Sequence, residues 1–178
     1  MCAGWVPAVI VASVLGGCGR VGFDAGRITD ASGITDAEPS ADAEACASYS
    51  PWAKLPGRYR VGTPVLSWSI AEADCESDGG HLIVIENAVE NMEARARATG
   101  EFWIGMTDRI TEATYLTVLG MAPGFEGWPG ATPTNTGEDC VSVLINSDWE
   151  DRNCTGSMID MKAYVCECDG LSVDPTSF

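Results

Sequence analysis

Acidic residues cluster in two short segments that each contain or precede a cysteine. The first is Gly137-Glu138-Asp139-Cys140, and the second is Trp149-Glu150-Asp151, which is followed by Cys154. Hard cations such as Ca²⁺ are held by about six to eight oxygen ligands from carboxylates, amides and backbone carbonyls, usually on loops. If the two cysteine segments lie together, four carboxylates share one small surface, and calcium binding is the chemistry to expect there.

The alternative interpretation is an ordinary solvated acidic loop, because the whole chain is acidic. Its formal net charge is −16 at pH 7, and its pI is about 4.1. This charge excludes nucleic acid and anionic membrane surfaces as partners, since both require a basic footprint. Divalent cations are the natural counter-charge, and the context of the acidic segments decides between the two interpretations.

The length of 178 residues predicts one domain with flanking segments. Eight cysteines are many for a chain of this size and indicate an oxidising compartment. Cys2 and Cys18 lie near the N-terminus, which leaves an even set of six for disulfides. Cys166-Glu167-Cys168 is not expected to be a zinc thiolate site, because the chain has no second close pair and one histidine.

The N-terminal segment has the pattern of a lipoprotein leader. Val6 to Gly17 is apolar but too short to cross a bilayer, and Leu15-Gly16-Gly17-Cys18 resembles a bacterial lipobox. The resemblance implies that residues 1–17 are a signal peptide and that Cys18 is lipidated. We therefore expect an outer-membrane lipoprotein or another protein of the bacterial cell surface, which contacts the membrane through its lipid anchor only.

The rest of the chain divides by composition. Residues 18–45 are rich in Ala, Asp, Ser, Thr and Gly and predict a flexible acidic linker. Residues 46–168 form the folded domain, and residues 169–178 are a C-terminal tail.

Two helices are predicted inside the domain. Trp68, Ala71 and Cys75 fall on one helical face after Ser67, which is a suitable N-cap. Asn87 and Glu90 form a capping box for a second helix that runs to about Ala98. The predicted strands are Arg58–Val61, Leu82–Ile85, Phe102–Met106, Cys140–Asn146 and Ala163–Cys168. Between them, residues 108–135 form a long Gly- and Pro-rich loop, and such loops are usually functional or ordered by an ion.

The order and spacing of these features resemble a C-type lectin domain over Cys46 to Cys168. The matching stretches are Trp68 to Cys75, Gly80-His81-Leu82, Phe102 to Met106, Phe125 to Trp128, Gly137 to Cys140, Trp149 to Asp151 with Cys154, and Tyr164-Val165-Cys166. The fold class is therefore α+β: a C-type lectin-like fold, stapled by disulfides, in which two helices accompany a lower and an upper antiparallel sheet and a long loop region.

The resemblance also implies disulfide pairs. Cys75 is expected to bond with Cys166, and Cys140 with Cys154. Cys46 and Cys168 remain and flank the domain, so we infer that they pair with each other.

The family holds Ca²⁺ at two neighbouring positions, and their residues carry over unequally. At the position that also grips sugar hydroxyls, this chain has Thr132, Thr134, Glu138, Glu150 and Asp151, so hydroxyls replace a carboxylate and an amide. The auxiliary position is better preserved and consists of Asp108, Glu112, Asn135, Glu138 and Asp139. The resemblance thus implies Ca²⁺ as cofactor. We expect tighter binding at the auxiliary position, because it offers four carboxylates and an amide oxygen, whereas the other offers three carboxylates and two hydroxyls.

Two functions remain open from the sequence. One is a Ca²⁺-dependent carbohydrate-binding module, and the other is a protein-binding or structural domain that has lost sugar binding. The partner is accordingly a glycan or a surface protein. An enzyme is not expected, because no nucleophile and base are placed together and no cofactor motif occurs. His81 has no nucleophile motif near it, so we interpret it as structural.

Overall fold

The computed structural model describes residues 45–130, 133–134, 137–155, 158 and 160–178. The predicted leader, the predicted lipidation site Cys18 and all of the predicted linker except Ala45 lie outside the described residues, as do Thr132 and Asn135. Within the described part, no helix has the length and apolar character needed to span a bilayer.

Two helices are described, and both begin where the sequence predicts. Helix α1 spans Trp68–Ser77, and helix α2 spans Ala88–Arg97. Asn87 caps α2, since its Oδ1 accepts a hydrogen bond from the Glu90 backbone amide at 3.0 Å. The return bond of the capping box differs from the expectation: the Glu90 carboxylate accepts from the amide of Glu86, not from that of Asn87. Ser67 occupies the N-cap position of α1 without a side-chain hydrogen bond.

Eight strands are described. They are β1 (Ser50–Pro51), β2 (Arg58–Leu66), β3 (His81–Leu82), β4 (Phe102–Thr107), β5 (Leu116–Thr117), β6 (Cys140–Val143), β7 (Trp149–Arg152) and β8 (Lys162–Cys168). The hydrogen-bonded order is β1-β2-β8-β4-β6-β7, with β3 also on β8 and β5 also on β4. The two expected sheets are therefore continuous, because a parallel pair of β4 and β8 joins them at Trp103 and Tyr164.

Some predicted strands are shorter than expected. The buried run from Leu82 to Ile85 is strand only at His81–Leu82, and the predicted strand from Cys140 ends at Val143. Ile83 instead bridges two elements: its amide donates to the Val165 carbonyl, and its carbonyl accepts from the Gly105 amide. Gly105 permits this contact, since a Cβ there would lie 2.5 Å from the Leu82 oxygen.

The core consists of two clusters of buried side chains. The first joins α2 to β4, β6 and β8 through residues such as Ala94, Phe102 and Val141. The second surrounds α1 and contains Trp68 and five of the six cysteines of the domain as buried members. The disulfides are as predicted: Cys46–Cys168, Cys75–Cys166 and Cys140–Cys154.

The segment after Cys168 packs against the domain. The Asp174 amide donates to the Val118 carbonyl at 2.8 Å, and the Phe178 ring meets Trp68 edge to face at 5.5 Å between centroids. This segment therefore contributes to the core around α1.

Candidate functional site

The two acidic segments meet because β6 and β7 are paired. In their antiparallel register, Cys140 lies opposite Arg152, and Val141 lies opposite Asp151. The Cys140–Cys154 disulfide closes the same end, with 5.2 Å between the Cα atoms. The acids before β6 and those in β7 consequently lie at one end of the hairpin, but Glu150 and Asp151 are consecutive in β7 and point to opposite faces of it.

Asp108 is brought to this end by β4. Thr107, the last residue of β4, pairs with Cys140, and the Asp108 amide donates to the Asp139 carbonyl at 3.1 Å. The Asp108 side chain is 2% exposed, and its Oδ2 accepts from the Ala113 amide at 2.8 Å. Its Oδ1 is buried without a hydrogen-bond partner, and so is the nearby Tyr115 hydroxyl. Asp108 is thus a buried carboxylate whose Oδ1 lacks a well-formed hydrogen bond, although the neighbouring Tyr115 hydroxyl interacts with this carboxylate and lowers its pKa.

The charges around Asp108 repel one another. Burial raises the pKa of Asp108, and the negative charge of Asp139 raises it further. The pKa of the exposed Glu112 is also raised, by partial desolvation and by the charges of Asp108, Asp139 and Asp151. Burial and the charge of Asp108 likewise raise the pKa of Tyr115. A cation bound among these groups would relieve this repulsion.

These residues fit a calcium ion of the auxiliary kind. A buried carboxylate oxygen without a partner, beside further acids, is the chemistry that a hard cation satisfies. The structure brings Asp108, Glu112 and Asp139 together, while Asn135 lies outside the described residues. Among the described residues, one group of three potential metal-ligand atoms lies within 4.8 Å of one another, and that group is not at this site. The carboxylates around Asp108 are therefore farther apart than the ligands of a preformed metal site.

The neighbouring position, expected to grip sugar, is already occupied by protein groups. The Glu150 carboxylate forms an ion pair with the guanidinium of Arg152. Asp151 is fully buried, and its Oδ2 accepts from the Thr134 amide at 2.8 Å and from the Thr134 hydroxyl at 3.1 Å. As arranged, this position does not fit a second calcium ion, because a guanidinium already neutralises Glu150. Calcium at Glu138, Glu150 and Asp151 stays a prediction that requires Arg152 to move.

Aromatic side chains anchor the long loop over the hairpin. Trp128 lies between Tyr115, at 5.1 Å between ring centroids, and Trp149, at 5.7 Å. Phe125 meets the same Trp149 ring edge to face at 5.6 Å. The Trp149 amide donates to the Gly127 carbonyl, and its indole Nε1 donates to Asn91 Oδ1. The loop is therefore held by packing at its aromatic positions, next to the acidic site.

Comparison with known proteins agrees with this architecture. The family model described as Lectin C-type domain matches residues 65–168, which is more than half of the chain. The chain belongs to the C-type lectin domain family. The hepatic lectin of Gallus gallus is 34% identical over 122 residues, covering 65% of this chain and 57% of that protein. The chain thus spans little more than half the length of this relative.

Solved structures share the fold of this C-type lectin domain. A calcium-independent type II antifreeze protein superposes with a TM-score of 0.62 at 21% identity, covering 68% of this chain and 92% of that one. The cow C-type carbohydrate-recognition domain of CD23, solved in the presence of a GlcNAc2Man3 oligosaccharide, has a TM-score of 0.61 at 23% identity, with 71% and 95% covered. At these identities the likeness establishes the fold.

Three residues of the C-type lectin site were missed by sequence reasoning: Arg152, Glu101 and Lys162. Glu101 Oε1 accepts from Arg152 Nε at 3.1 Å and lies 3.4 Å from Lys162 Nζ. Burial opposes the charge of Glu101, but hydrogen bonds from Ser142 and Arg152 lower its pKa overall. The sequence did contain a signal for Arg152: residues two apart in a strand lie on the same face, which places Arg152 beside Glu150 in β7. No local signal pointed to Glu101.

Proposed function

We propose that this C-type lectin domain is a non-enzymatic glycan-binding module whose loop region is ordered by one calcium ion on the Asp108 side. The observation that supports the calcium part is the buried, partnerless Oδ1 of Asp108 beside Asp139 and Glu112. C-type lectin domains are generally binding modules without enzymatic activity, and calcium is a common cofactor in them. Calcium-independent relatives also exist, as the antifreeze protein illustrates.

The calcium ion would be held by Asp108, Glu112, Glu138 and Asp139, with Asn135 completing the set. When bound, it supplies the positive charge that lets these acidic loop residues lie together. Hydrogen bonds within the protein hold the loop in place beside the ion. The Asp108 amide ties its loop to the Asp139 carbonyl, and Asp108 Oδ2 holds the turn at Ala113.

Glycan recognition would take place at the adjoining polar surface. There Glu138 and Glu150 supply acceptors, while Arg152 supplies a charged donor beside Glu101. A sugar hydroxyl both donates and accepts hydrogen bonds, so a surface that mixes carboxylates with a guanidinium suits it. The relatives support this choice, since one is named a lectin and another was solved in the presence of an oligosaccharide.

A second function, binding of a surface protein after loss of sugar binding, is favoured by one observation. The Glu150–Arg152 ion pair and the hydrogen bonds from Thr134 to Asp151 use the groups that would otherwise grip calcium and sugar. In this case the polar surface binds a partner with complementary charge. The expected partner is a protein with an exposed mixture of acidic and basic side chains.

A glycan array with the full oxidised chain, in calcium and in EDTA, separates the two functions. Glycan binding that weakens in EDTA supports the proposal, whereas a blank array in both conditions supports the protein-binding function. Arg152→Ala should lower the glycan signal, and Arg109→Ala, which changes an exposed arginine outside this cluster, should not. The triple change Thr132→Glu, Thr134→Asn and Glu150→Asn should strengthen sugar binding, because it restores the ligand types of the family.

We also propose that the domain is displayed at a bacterial envelope through lipid on Cys18. The support is the sequence Leu15-Gly16-Gly17-Cys18 after an apolar run, followed by an acidic linker. The named relative is a eukaryotic protein, so this proposal rests on the leader pattern alone. Mass spectrometry of the mature chain should find an acylated Cys18 as its first residue. A mature chain that retains residues 1–17 would contradict it.

A further inference from the structure

A second cluster of potential metal ligands forms where β3 pairs with β8. His81 lies opposite Glu167 in the antiparallel register, and Asp169 follows the end of β8. The His81 Nε2 atom is 3.2 Å from Asp169 Oδ1, and one ligand atom from each of the three residues lies within 4.8 Å of the others. None of the three belongs to the acidic site at the β6–β7 hairpin.

The histidine ring is oriented as a metal ligand would be. Its Nδ1 is 2.9 Å from the Leu82 carbonyl oxygen, which can only accept, so Nδ1 carries the hydrogen. The remaining nitrogen, Nε2, points at the Asp169 carboxylate. Metal-binding histidines commonly donate their other N–H to a backbone carbonyl, which fixes the tautomer and the ring orientation. Either a proton or a cation must therefore sit between Nε2 and Asp169.

The distances suit a zinc-type ion. Zinc lies about 2.0–2.1 Å from imidazole nitrogen and about 2.0–2.2 Å from carboxylate oxygen. Neighbouring tetrahedral ligands are then about 3.4 Å apart, close to the 3.2 Å between Nε2 and Oδ1. Only the Glu167 oxygen must shift to complete the group. Calcium is disfavoured here because it takes oxygen ligands.

Backbone amides orient the carboxylates of Glu167 and Asp169, and the Asp169 side chain is partly exposed to solvent. Glu167 Oε2 accepts from the Val84 amide at 3.2 Å, and Asp169 Oδ1 accepts from the Leu171 amide at 2.8 Å. His81 is fully buried, whereas the Asp169 side chain is 27% exposed. Glu167 and Asp169 also line a cavity of about 350 Å³. A cation thus has an entry path and room for a water molecule.

The balance of charge near the cluster favours a cation. The same cavity is lined by the additional carboxylate of Glu86. The guanidinium of Arg58 also lines this cavity, and it keeps its positive charge because its Nη2 donates to the neutral Tyr49 carbonyl at 2.8 Å. When all three carboxylates are ionised, their negative charge exceeds by one the positive charge of Arg58 and a protonated His81.

We propose that His81, Glu167 and Asp169 bind a divalent transition-metal cation of the zinc type, with an open coordination position that faces the cavity. Binding replaces the Nε2 proton of His81, which is released to solvent. The sequence pattern suggested only a structural role for His81, because its partners are brought to it by strand pairing.

The test uses Zn²⁺ alone with the full, oxidised chain, after alkylation of any free thiol so that Cys2 and Cys18 do not bind metal. His81 is the one histidine of the chain, so a single set of imidazole NMR signals reports directly on the site. We expect a saturable shift of the Nε2 signal at one equivalent of Zn²⁺. No shift of the imidazole signals, or a shift that never saturates, would overturn the proposal.

A matched pair of variants gives a second test. Asp169→Asn should weaken zinc binding in calorimetry about ten-fold or more, as loss of a metal ligand or of its close support does. Asp174→Asn is the control, because Asp174 makes the same kind of turn, accepting from the Thr176 amide at 2.9 Å. Equal zinc affinity in the two variants would refute the assignment. Asp108→Asn should leave zinc binding unchanged, and loss of zinc binding in that variant would place the metal at the hairpin site instead.

Discussion

Replacement of Asp108 by asparagine should separate the role of its charge from the role of its shape. Asparagine keeps an oxygen that can accept from the Ala113 amide, and it removes a buried charge that is repelled by Asp139. In EDTA, the variant should therefore be at least as stable as the parent chain. In calcium, the order should reverse, because the variant lacks a charged ligand.

The magnitude follows from ligand linkage. Calcium at about 100 times its dissociation constant stabilises the folded chain by about 2.7 kcal/mol. For a domain of this size, 1 kcal/mol shifts Tm by roughly 3–5 °C, so the parent should gain about 10 °C in calcium. Asp108→Asn should lose most of this gain.

Thermal unfolding of the full oxidised chain, measured by circular dichroism with and without calcium, gives both numbers. The control is Asp148→Asn, a carboxylate in the turn between β6 and β7 that accepts from Asn146 at 2.7 Å. It should keep the full calcium gain. The reasoning fails if Asp108→Asn retains that gain, if the parent gains nothing from calcium, or if the variant is already destabilised in EDTA.

Three further predictions concern stability. Burial raises the pKa of Glu72 to about 7, so the folded state favours the protonated carboxyl group. The free energy of unfolding should therefore fall by on the order of 3 kcal/mol as the pH rises from about 4.5 through 7. Glu72→Gln should flatten this fall in urea titrations at several pH values, and an unchanged pH profile would contradict the assignment. The double change Cys46→Ser and Cys168→Ser opens a bridge with a sequence separation of 122 and should cost roughly 5 kcal/mol in denaturant unfolding; a cost near zero would mean that packing alone holds the two ends. Trp128→Ala removes the ring between Tyr115 and Trp149. It should lower the free energy of unfolding by about 2 kcal/mol and weaken calcium binding in calorimetry. Calcium affinity equal to that of the parent would show that the aromatic cluster does not support the site.

Local patterns predicted the elements that depend on neighbouring residues. The face formed by Trp68, Ala71 and Cys75 gave helix α1, and the cap at Asn87 gave helix α2. Helical period and capping are properties of consecutive residues, so they are present in the sequence itself. The strand at His81–Leu82 was overextended, because a short apolar run does not reveal how many of its residues find a partner strand.

The family pattern of the sequence determined two of the disulfides and the assignment of acids to the hairpin, and the Cys46–Cys168 bond was inferred because those two cysteines remained. Asp108 and Asp139 are distant in the chain, and they were assigned to one site because motifs in a fixed order imply a fixed fold. The sequence did not determine which hydrogen-bond donor or cation pairs with each carboxylate. That depends on which donors the neighbouring strands present.

The tertiary structure alone decided these partners. Glu150 is neutralised by Arg152, whose guanidinium in turn forms an ion pair with Glu101, the residue before β4. His81 meets Glu167 and Asp169 only because β3 lies beside β8. The physical reason is the same in both cases: a charged side chain reaches only a few ångströms, so its partner is set by strand register and not by distance along the sequence.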